Sequence, residues 1–326
     1  MKKVSILLIA SMLLCLVLGA CGSSTTETAT ESEAAVEETT EAVETTEEVA
    51  KEETEEPEEA AEEEEAAPAE EEAAPAEEET VEEEPVELIV FAAASMTETL
   101  TEIAEMYKDV APNVTLTFNF DSSGTLKTQI EEGADCDVFI SAAQKQMNQL
   151  DISKDEEKNP DRLDFVLSDT RVNLLENKVA LVVPADNAAG IESYEDLTTD
   201  KLTLLCLGND DVPVGQYSLE ILEYLGVDVT ELESAGKVTY GSNVKEVTTQ
   251  VSEGTVDCGI IYATDAFSAG LDIVDLATAD MCSQVIYPAA VLNISQNQDA
   301  AQAFLDYLQT DEAMAVFESV GFSAVE

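Results

Sequence analysis

The chain has 326 residues, 71 of them acidic and 14 basic, for a formal net charge of −57, and it contains neither His nor Trp. That charge argues against nucleic acid as a partner. The missing His removes Ser-His-Asp and Cys-His nucleophiles, any His-ligated zinc and the commonest general base at neutral pH.

In chain order, Met1-Lys2-Lys3 is a short basic start, and Ile6 to Leu18 is an apolar run too short for a comfortable transmembrane helix. Leu18-Gly19-Ala20-Cys21 follows. The order predicts a secretory signal over residues 1–20. Its ending resembles a bacterial lipobox, which implies cleavage before Cys21, lipidation of the Cys21 thiol and attachment to the outer face of the membrane. Stable attachment needs more than one acyl chain.

Residues 21–85 are Glu, Ala, Thr and Pro with almost no large apolar side chains, and they hold about half of the net negative charge. Such a segment cannot bury enough surface to offset chain entropy, so a disordered acidic tether is expected. An uncharged flexible chain of that length spans roughly 45 Å, and like-charge repulsion extends it.

Strand–helix alternation starts at Val86 and predicts α/β layers. Leu88 to Phe91 reads as a buried strand running through Ala92-Ala93-Ala94 into Ser95 and a helical pattern. Val114 to Phe120 alternates as a strand and leads through Asp121-Ser122-Ser123-Gly124 into a helix. Cys136 to Ile140 leads through Ser141 into another. Strand ends that pass through small or hydroxyl residues into helices are a geometry for anions, because the first helical N–H groups lack intrahelical partners. For Ser95 alone, helix capping is the simpler reading. Val179 to Val183 is a strand that crosses to a second lobe at Pro184. Strands follow at Leu202–Leu207, Val238–Val244 and Cys258–Tyr262, and a return strand at Val285–Ile294. Helices at Ala301–Leu308 and Asp311–Ser319 close the chain. The expected division is 86–183 and 285–326 for the first lobe and 184–284 for the second. Of the six cysteines, Cys136, Cys206, Cys258 and Cys282 are read as free thiols, with a Cys206–Cys258 bridge the alternative.

Phe91-Ala92-Ala93-Ala94-Ser95, Phe120-Asp121-Ser122-Ser123-Gly124-Thr125-Leu126, Asp137-Val138-Phe139-Ile140-Ser141-Ala142, Val212-Pro213-Val214-Gly215-Gln216-Tyr217, Asn243-Val244-Lys245 and Gly259-Ile260-Ile261-Tyr262-Ala263-Thr264-Asp265 occur in this order, with Tyr287-Pro288 and Gly321-Phe322 after them. In order and spacing the set resembles the molybdate-binding proteins of ABC importers, over essentially all of residues 86–326. The resemblance implies a two-lobe, type II periplasmic-binding-protein fold. Each lobe is a mixed sheet flanked by helices, and two crossing strands join the lobes. It implies molybdate or tungstate as ligand, no cofactor, no direct cation ligand, no enzymatic activity, an ABC permease as partner, an extracytoplasmic location and a monomeric chain. Carried over by motif, Ser95 and Ser123 supply hydroxyls, Val214 and Val244 backbone N–H groups, and Tyr262 its hydroxyl. Ser122 is the alternative to Ser123, and Asp121 stands where the family has small neutral residues.

The chemistry agrees with such a site. A domain this acidic repels a dianion at long range, though salt limits that reach to about 8 Å. Capture therefore rests on short-range neutral donors. A site without an acceptor favours a fully deprotonated tetrahedral oxyanion; sulfate is one as well, so only cavity size separates it from molybdate, and it stays an alternative, as does phosphate, which near neutral pH carries a proton and would use Asp121. A serine nucleophile would need a nearby lysine, and no Ser-x-x-Lys pattern starts at Ser95 or Ser123. A surface adhesin leaves the clustered motifs without a purpose.

Overall fold

The computed structural model describes residues 84–325. The expected signal segment, Cys21 and nearly all of the tether lie outside the described residues. The strands are β1 (Val86–Ala93), β2 (Val114–Asp121), β3 (Val138–Ile140), β4 (Val172–Asn177), β5 (Val179–Val183), β6 (Leu205–Gly208), β7 (Val238–Gly241), β8 (Cys258–Tyr262), β9 (Asp272–Leu276) and β10 (Val285–Val291). The helices are α1 (Thr97–Val110), α2 (Ser123–Glu131), α3 (Gln144–Leu150), α4 (Pro213–Tyr224), α5 (Val229–Ser234), α6 (Val244–Ser252), α7 (Ala263–Ala269), α8 (Gln298–Tyr307) and α9 (Asp311–Ser319).

They form two mixed sheets of one design, in the orders β2-β1-β3-β10-β4 and β7-β6-β8-β5-β9. In the first, β1 runs parallel to β2 and β3, while β10 is antiparallel to β3 and β4. In the second, β6 runs parallel to β7 and β8, while β5 is antiparallel to β8 and β9. Strands buried on both faces must be apolar throughout. Val-Ala-Leu-Val-Val of β5, Cys-Gly-Ile-Ile-Tyr of β8 and Val-Ile-Tyr-Pro-Ala-Ala-Val of β10 are buried at every position.

The register aligns the strand ends that matter. Ala93 pairs with Asp121 and Ala92 with Ile140, so β1, β2 and β3 deliver their following turns to one edge of the first sheet. In the second sheet Gly208 pairs with Gly241, and β8 runs parallel beside them, so α4, α6 and α7 begin at one edge. In open α/β sheets that edge is where ligands bind.

The chain passes between the sheets at Lys178, the single residue between β4 and β5. The boundary expected after Val183 therefore moves back five residues, because β5 pairs with β8 and β9 and belongs to the second sheet. Two strands not read from the sequence, β4 and β9, flank the two passages. β10 begins the return at Val285. Pro288 lacks an N–H for the ladder, and the pairing of β10 with β4 slips there: Tyr287 faces Leu175 and Pro288 faces Asn173, leaving Leu174 as the extra residue.

Cys136, Cys206, Cys258 and Cys282 are free thiols. Leu205 pairs with Cys258 and Cys206 with Gly259, so the two cysteines of neighbouring strands point to opposite faces and no bridge can join them.

Candidate anion-binding site

The two edges meet around a small cavity of about 10 Å³, lined by Ala93, Ala94, Ser95, Asp121, Ser122, Ser123 and Ala142 of the first lobe and by Val212, Pro213, Val244 and Tyr262 of the second. Ser95, Ser123, Val244 and Tyr262, four of the five residues expected from sequence, are thus brought together from elements far apart in the chain. A larger hollow of about 440 Å³, lined by Leu219, Leu222, Glu223 and Val229 among others, lies elsewhere on the second lobe and is more open. It has none of the hydroxyl side chains that converge on the small cavity.

Ser95 sits in a single 3-10 turn, Ala94–Met96, and does not cap α1, whose N-cap position is held by Met96. Its hydroxyl lies 2.8 Å from that of Tyr287. This decides between the two readings of Ser95 in favour of a side chain turned inward.

The two candidate serines of the second turn also separate. Ser122 is the N-cap of α2: its Oγ accepts the N–H of Thr125 at 3.1 Å and lies 2.8 Å from Oγ1 of Thr125. Ser123, fully buried, accepts the N–H of Ala142 on its Oγ at 2.9 Å, which leaves its own proton to give. The hydroxyl of Ser141 bonds within its own loop, to the carbonyl of Ala143, and Ser141 does not line the cavity.

In the second lobe, Val214 is fully buried and is not part of the lining, which is formed by its neighbours Val212 and Pro213. Pro213 opens α4 and has no N–H, so the first amide hydrogen that α4 presents is that of Val214. Val244 opens α6, where the Asn243 side chain caps the N–H of Glu246 at 3.1 Å and not that of Val244. Tyr262 closes β8 at the start of α7. Its hydroxyl is buried beside Tyr287 and makes no hydrogen bond of ordinary geometry. Burial holds that hydroxyl in its protonated form, far above the usual range. A buried donor without a partner carries a desolvation cost that a bound acceptor removes.

No Lys or Arg lines the cavity. Lys245, next in sequence to the lining residue Val244, is engaged by Glu98 at 2.7 Å and Asp265 at 3.2 Å. Asp121 does line it, half-buried, with Oδ1 accepting the N–H of Ser122 at 2.7 Å and Nδ2 of Asn243 at 3.4 Å. Among the described residues no group of His, Cys, Asp and Glu is arranged to hold a metal ion. The cavity thus offers neutral hydroxyl donors from Ser95, Ser123 and Tyr262, with one carboxylate, that of Asp121, in its wall.

Sequence reasoning missed the layer behind these donors. Asn177, Thr264 and Tyr287 form a buried hydrogen-bonded chain to Ser95, and Asp265 lies fully buried one turn beyond Tyr262. Tyr287-Pro288 was visible as a motif, but only the fold brings it to Ser95.

Residues 88–323 match the family of bacterial extracellular solute-binding proteins. YvgL of Bacillus subtilis, named as an ABC transporter substrate-binding lipoprotein, is 36% identical over 75% of this chain and 89% of its own. The molybdate-binding protein ModA of Haemophilus influenzae is 34% identical over 73% of this chain and 90% of its own. Among solved structures, a substrate-binding domain from Clostridium difficile, assigned to a molybdenum ABC transporter, is 37% identical with a TM-score of 0.56, covering 74% of this chain and all of that one. The sulfate-binding protein SubI of Mycobacterium tuberculosis shares the fold at 16% identity and a TM-score of 0.61, over 74% of this chain and 88% of its own. With its two sheets, its cleft and these relatives, the chain belongs to the bacterial extracellular solute-binding protein family, whose members bind solutes and are not enzymes.

Proposed function

We propose that this chain captures molybdate, and tungstate with it, between its two lobes and delivers it to an ABC permease, held at the outer face of the membrane by a lipid on Cys21 and acting as a monomer. The observation that carries the reading is the donor set around one small cavity: Ser95, Ser123 and Tyr262, the last with a buried hydroxyl in need of an acceptor. To this set we assign the backbone N–H groups of Val244, which lines the cavity, and of Val214, which follows the lining residue Pro213. Neutral donors suit a doubly charged tetrahedral ion that carries no proton. The name of the Haemophilus influenzae relative supports the choice of molybdate, and that of the Bacillus subtilis relative supports the lipid anchor.

Titration calorimetry with molybdate, tungstate, sulfate and phosphate tests it. Heat at 1:1 stoichiometry with the first two is expected. Thermal unfolding then rises with ligand, because a ligand that binds only the native state adds about 2.7 kcal/mol at a hundredfold excess over Kd. Binding of sulfate or phosphate alone overturns the molybdate assignment. Mass spectrometry of the mature amino terminus tests the lipid, and sedimentation the monomer.

A second reading rests on Asp121. Its carboxylate lines the cavity and could accept the proton of a hydrogen phosphate. In that case phosphate binds, and Asp121→Ala abolishes its binding.

A further inference from the structure

The Ser95 hydroxyl is the end of a hydrogen-bond chain whose direction can be followed proton by proton. It starts at Asn177, the last residue before the chain passes to the second sheet. Oδ1 of Asn177 accepts the N–H of Lys178 at 2.8 Å. A main-chain N–H can only donate, so this contact settles which end of the amide is oxygen. Nδ2 therefore donates, to Oγ1 of Thr264 at 2.9 Å and to the Tyr287 oxygen at 3.3 Å.

Tyr287 is fully buried, and burial together with nearby Asp265 holds it in the hydroxyl form, far above its ordinary range. Either oxygen can donate across the 2.8 Å contact between Tyr287 and Oγ of Ser95; with an amide donor already on the Tyr287 oxygen, the arrangement that sends the Tyr287 proton to Ser95 is the one we take. Ser95 thus accepts from behind, and its proton is left for the cavity. The slip in pairing at Pro288, next in sequence, fixes where Tyr287 stands. Ser123 repeats the logic with a simpler source, since the main-chain N–H of Ala142 is its donor from behind.

We propose that Asn177 and Tyr287 are positioning residues that fix the Ser95 hydroxyl as a donor into the cavity, so that this wall selects a tetrahedral oxyanion carrying no proton. The proposal rests on the reading of the cavity as an anion site. Neither residue lines the cavity, so both act through Ser95. Through Thr264, at the start of α7, the same amide also touches the second lobe beside Tyr262.

A double-mutant cycle on the full chain tests the direction of the chain. In Asn177→Asp the donor becomes an acceptor. Tyr287 then gives its proton to the new carboxylate and takes that of Ser95, which no longer has one for the ligand. Calorimetry should show affinity falling about thirtyfold, the worth of one hydrogen bond to a charged group. In a Tyr287→Phe background the relay is already cut, and the same substitution should cost about fivefold or less. Equal losses in the two backgrounds overturn the proposal, because a mere charge or folding effect does not depend on Tyr287. Tyr287→Phe alone also frees a lone pair on Ser95. Phosphate should then compete against the bound oxyanion about tenfold better than in the wild type. Should Asn177→Asp fail to fold by circular dichroism, an unchanged phosphate ratio in Tyr287→Phe overturns the proposal by itself. A wild-type chain that binds sulfate but not molybdate overturns only the ligand assignment, and the cycle is then run with sulfate. A chain that binds none of the four anions overturns both.

Discussion

Lys245 and Glu98 join the two lobes: Nζ of Lys245 on α6 lies 2.7 Å from a carboxylate oxygen of Glu98 on α1. The same Nζ is 3.2 Å from Oδ1 of Asp265 on α7, whose carboxyl is fully buried and makes no hydrogen bond of ordinary geometry. The two contacts have different weights. The side chain of Glu98 is 52% exposed, and an ion pair in such a setting contributes about 0–1 kcal/mol. Asp265 has no water to fall back on. We therefore expect Glu98→Gln to weaken oxyanion binding only about two- to threefold, through a small bias against lobe contact. Lys245→Met strands a buried carboxylate and should cost about 3–5 kcal/mol in stability. Asp265→Asn added to Lys245→Met should return most of that. Denaturant titrations check the series, and a Lys245→Met variant as stable as the wild type would refute the ion-pair assignment.

Gly124 tests the lobe contact from the other side. Its N–H donates to the carbonyl of Asp211 in the second lobe at 2.9 Å. A Cβ on Gly124 would stand 2.4 Å from that oxygen, closer than real Cβ atoms come. The obstacle is backbone, so no side-chain rotation relieves it. Within its own helix Ala is the better residue by about 1 kcal/mol. Gly124→Ala should therefore leave the ligand-free protein at least as stable, while oxyanion affinity falls by about tenfold or more, as for a closed arrangement made 1.4 kcal/mol less favourable. Calorimetry and thermal unfolding on the same sample separate the two effects.

How much of this was legible in the sequence depends on how local each signal is. Buried strands such as Leu88 to Phe91 and Cys258 to Tyr262 announce themselves as apolar runs, and the turns after them by small and hydroxyl residues. β9 does not, because Asp272-Ile-Val-Asp-Leu276 is a half-exposed outer strand with two carboxylates. β4 likewise mixes Asn and Glu with Val and Leu. The passage at Lys178 was displaced to Pro184 because the polar break between β4 and β5 is one residue long, while Pro184 is a conspicuous breaker. Motifs pointed to Ser95, Ser123, Val244 and Tyr262, which line the cavity, and to Val214, which does not. The Asn177–Tyr287–Ser95 chain spans residues 110 and 192 positions apart, and no local pattern encodes such a pairing.

Asp121 offers a direct choice between ligands. Its carboxylate borders the cavity, with Oδ1 held by the N–H of Ser122 and by Asn243. Toward a dianion without a proton it is a nearby like charge, and Asp121→Asn should raise affinity about three- to tenfold at low salt, with the gain shrinking as salt is added. Toward hydrogen phosphate it is the acceptor, and the same change should remove binding. Calorimetry at two salt concentrations with molybdate and phosphate reads both effects.

Two buried carboxylates pull stability in opposite directions with pH. Burial pushes Asp265 from 3.8 up to about 6, against the pull of Lys245. Between these values the native state keeps a proton that the unfolded chain has released, so stability falls as pH rises, by about 3 kcal/mol in all. Burial also works against ionisation of Asp151, but hydrogen bonds from Ser153, Ser168 and Arg171 outweigh it and hold its carboxyl at about 2. Its contribution is present above 3.8 and is lost as pH falls through 2, about 2 kcal/mol in all. Differences between variants isolate each group from the general relief of charge repulsion in so acidic a chain. Relative to the wild type, Asp265→Asn should gain stability progressively from pH 4 to pH 6 and stay level above. Ser168→Ala, which removes the 2.7 Å hydrogen bond to Oδ1 of Asp151, should lose stability at pH 5 and converge with the wild type toward pH 2. Urea titrations at half-unit intervals of pH resolve the two windows, and a pH-independent gain in Asp265→Asn would mean that this carboxyl is ionised as easily in the folded chain as in the unfolded one.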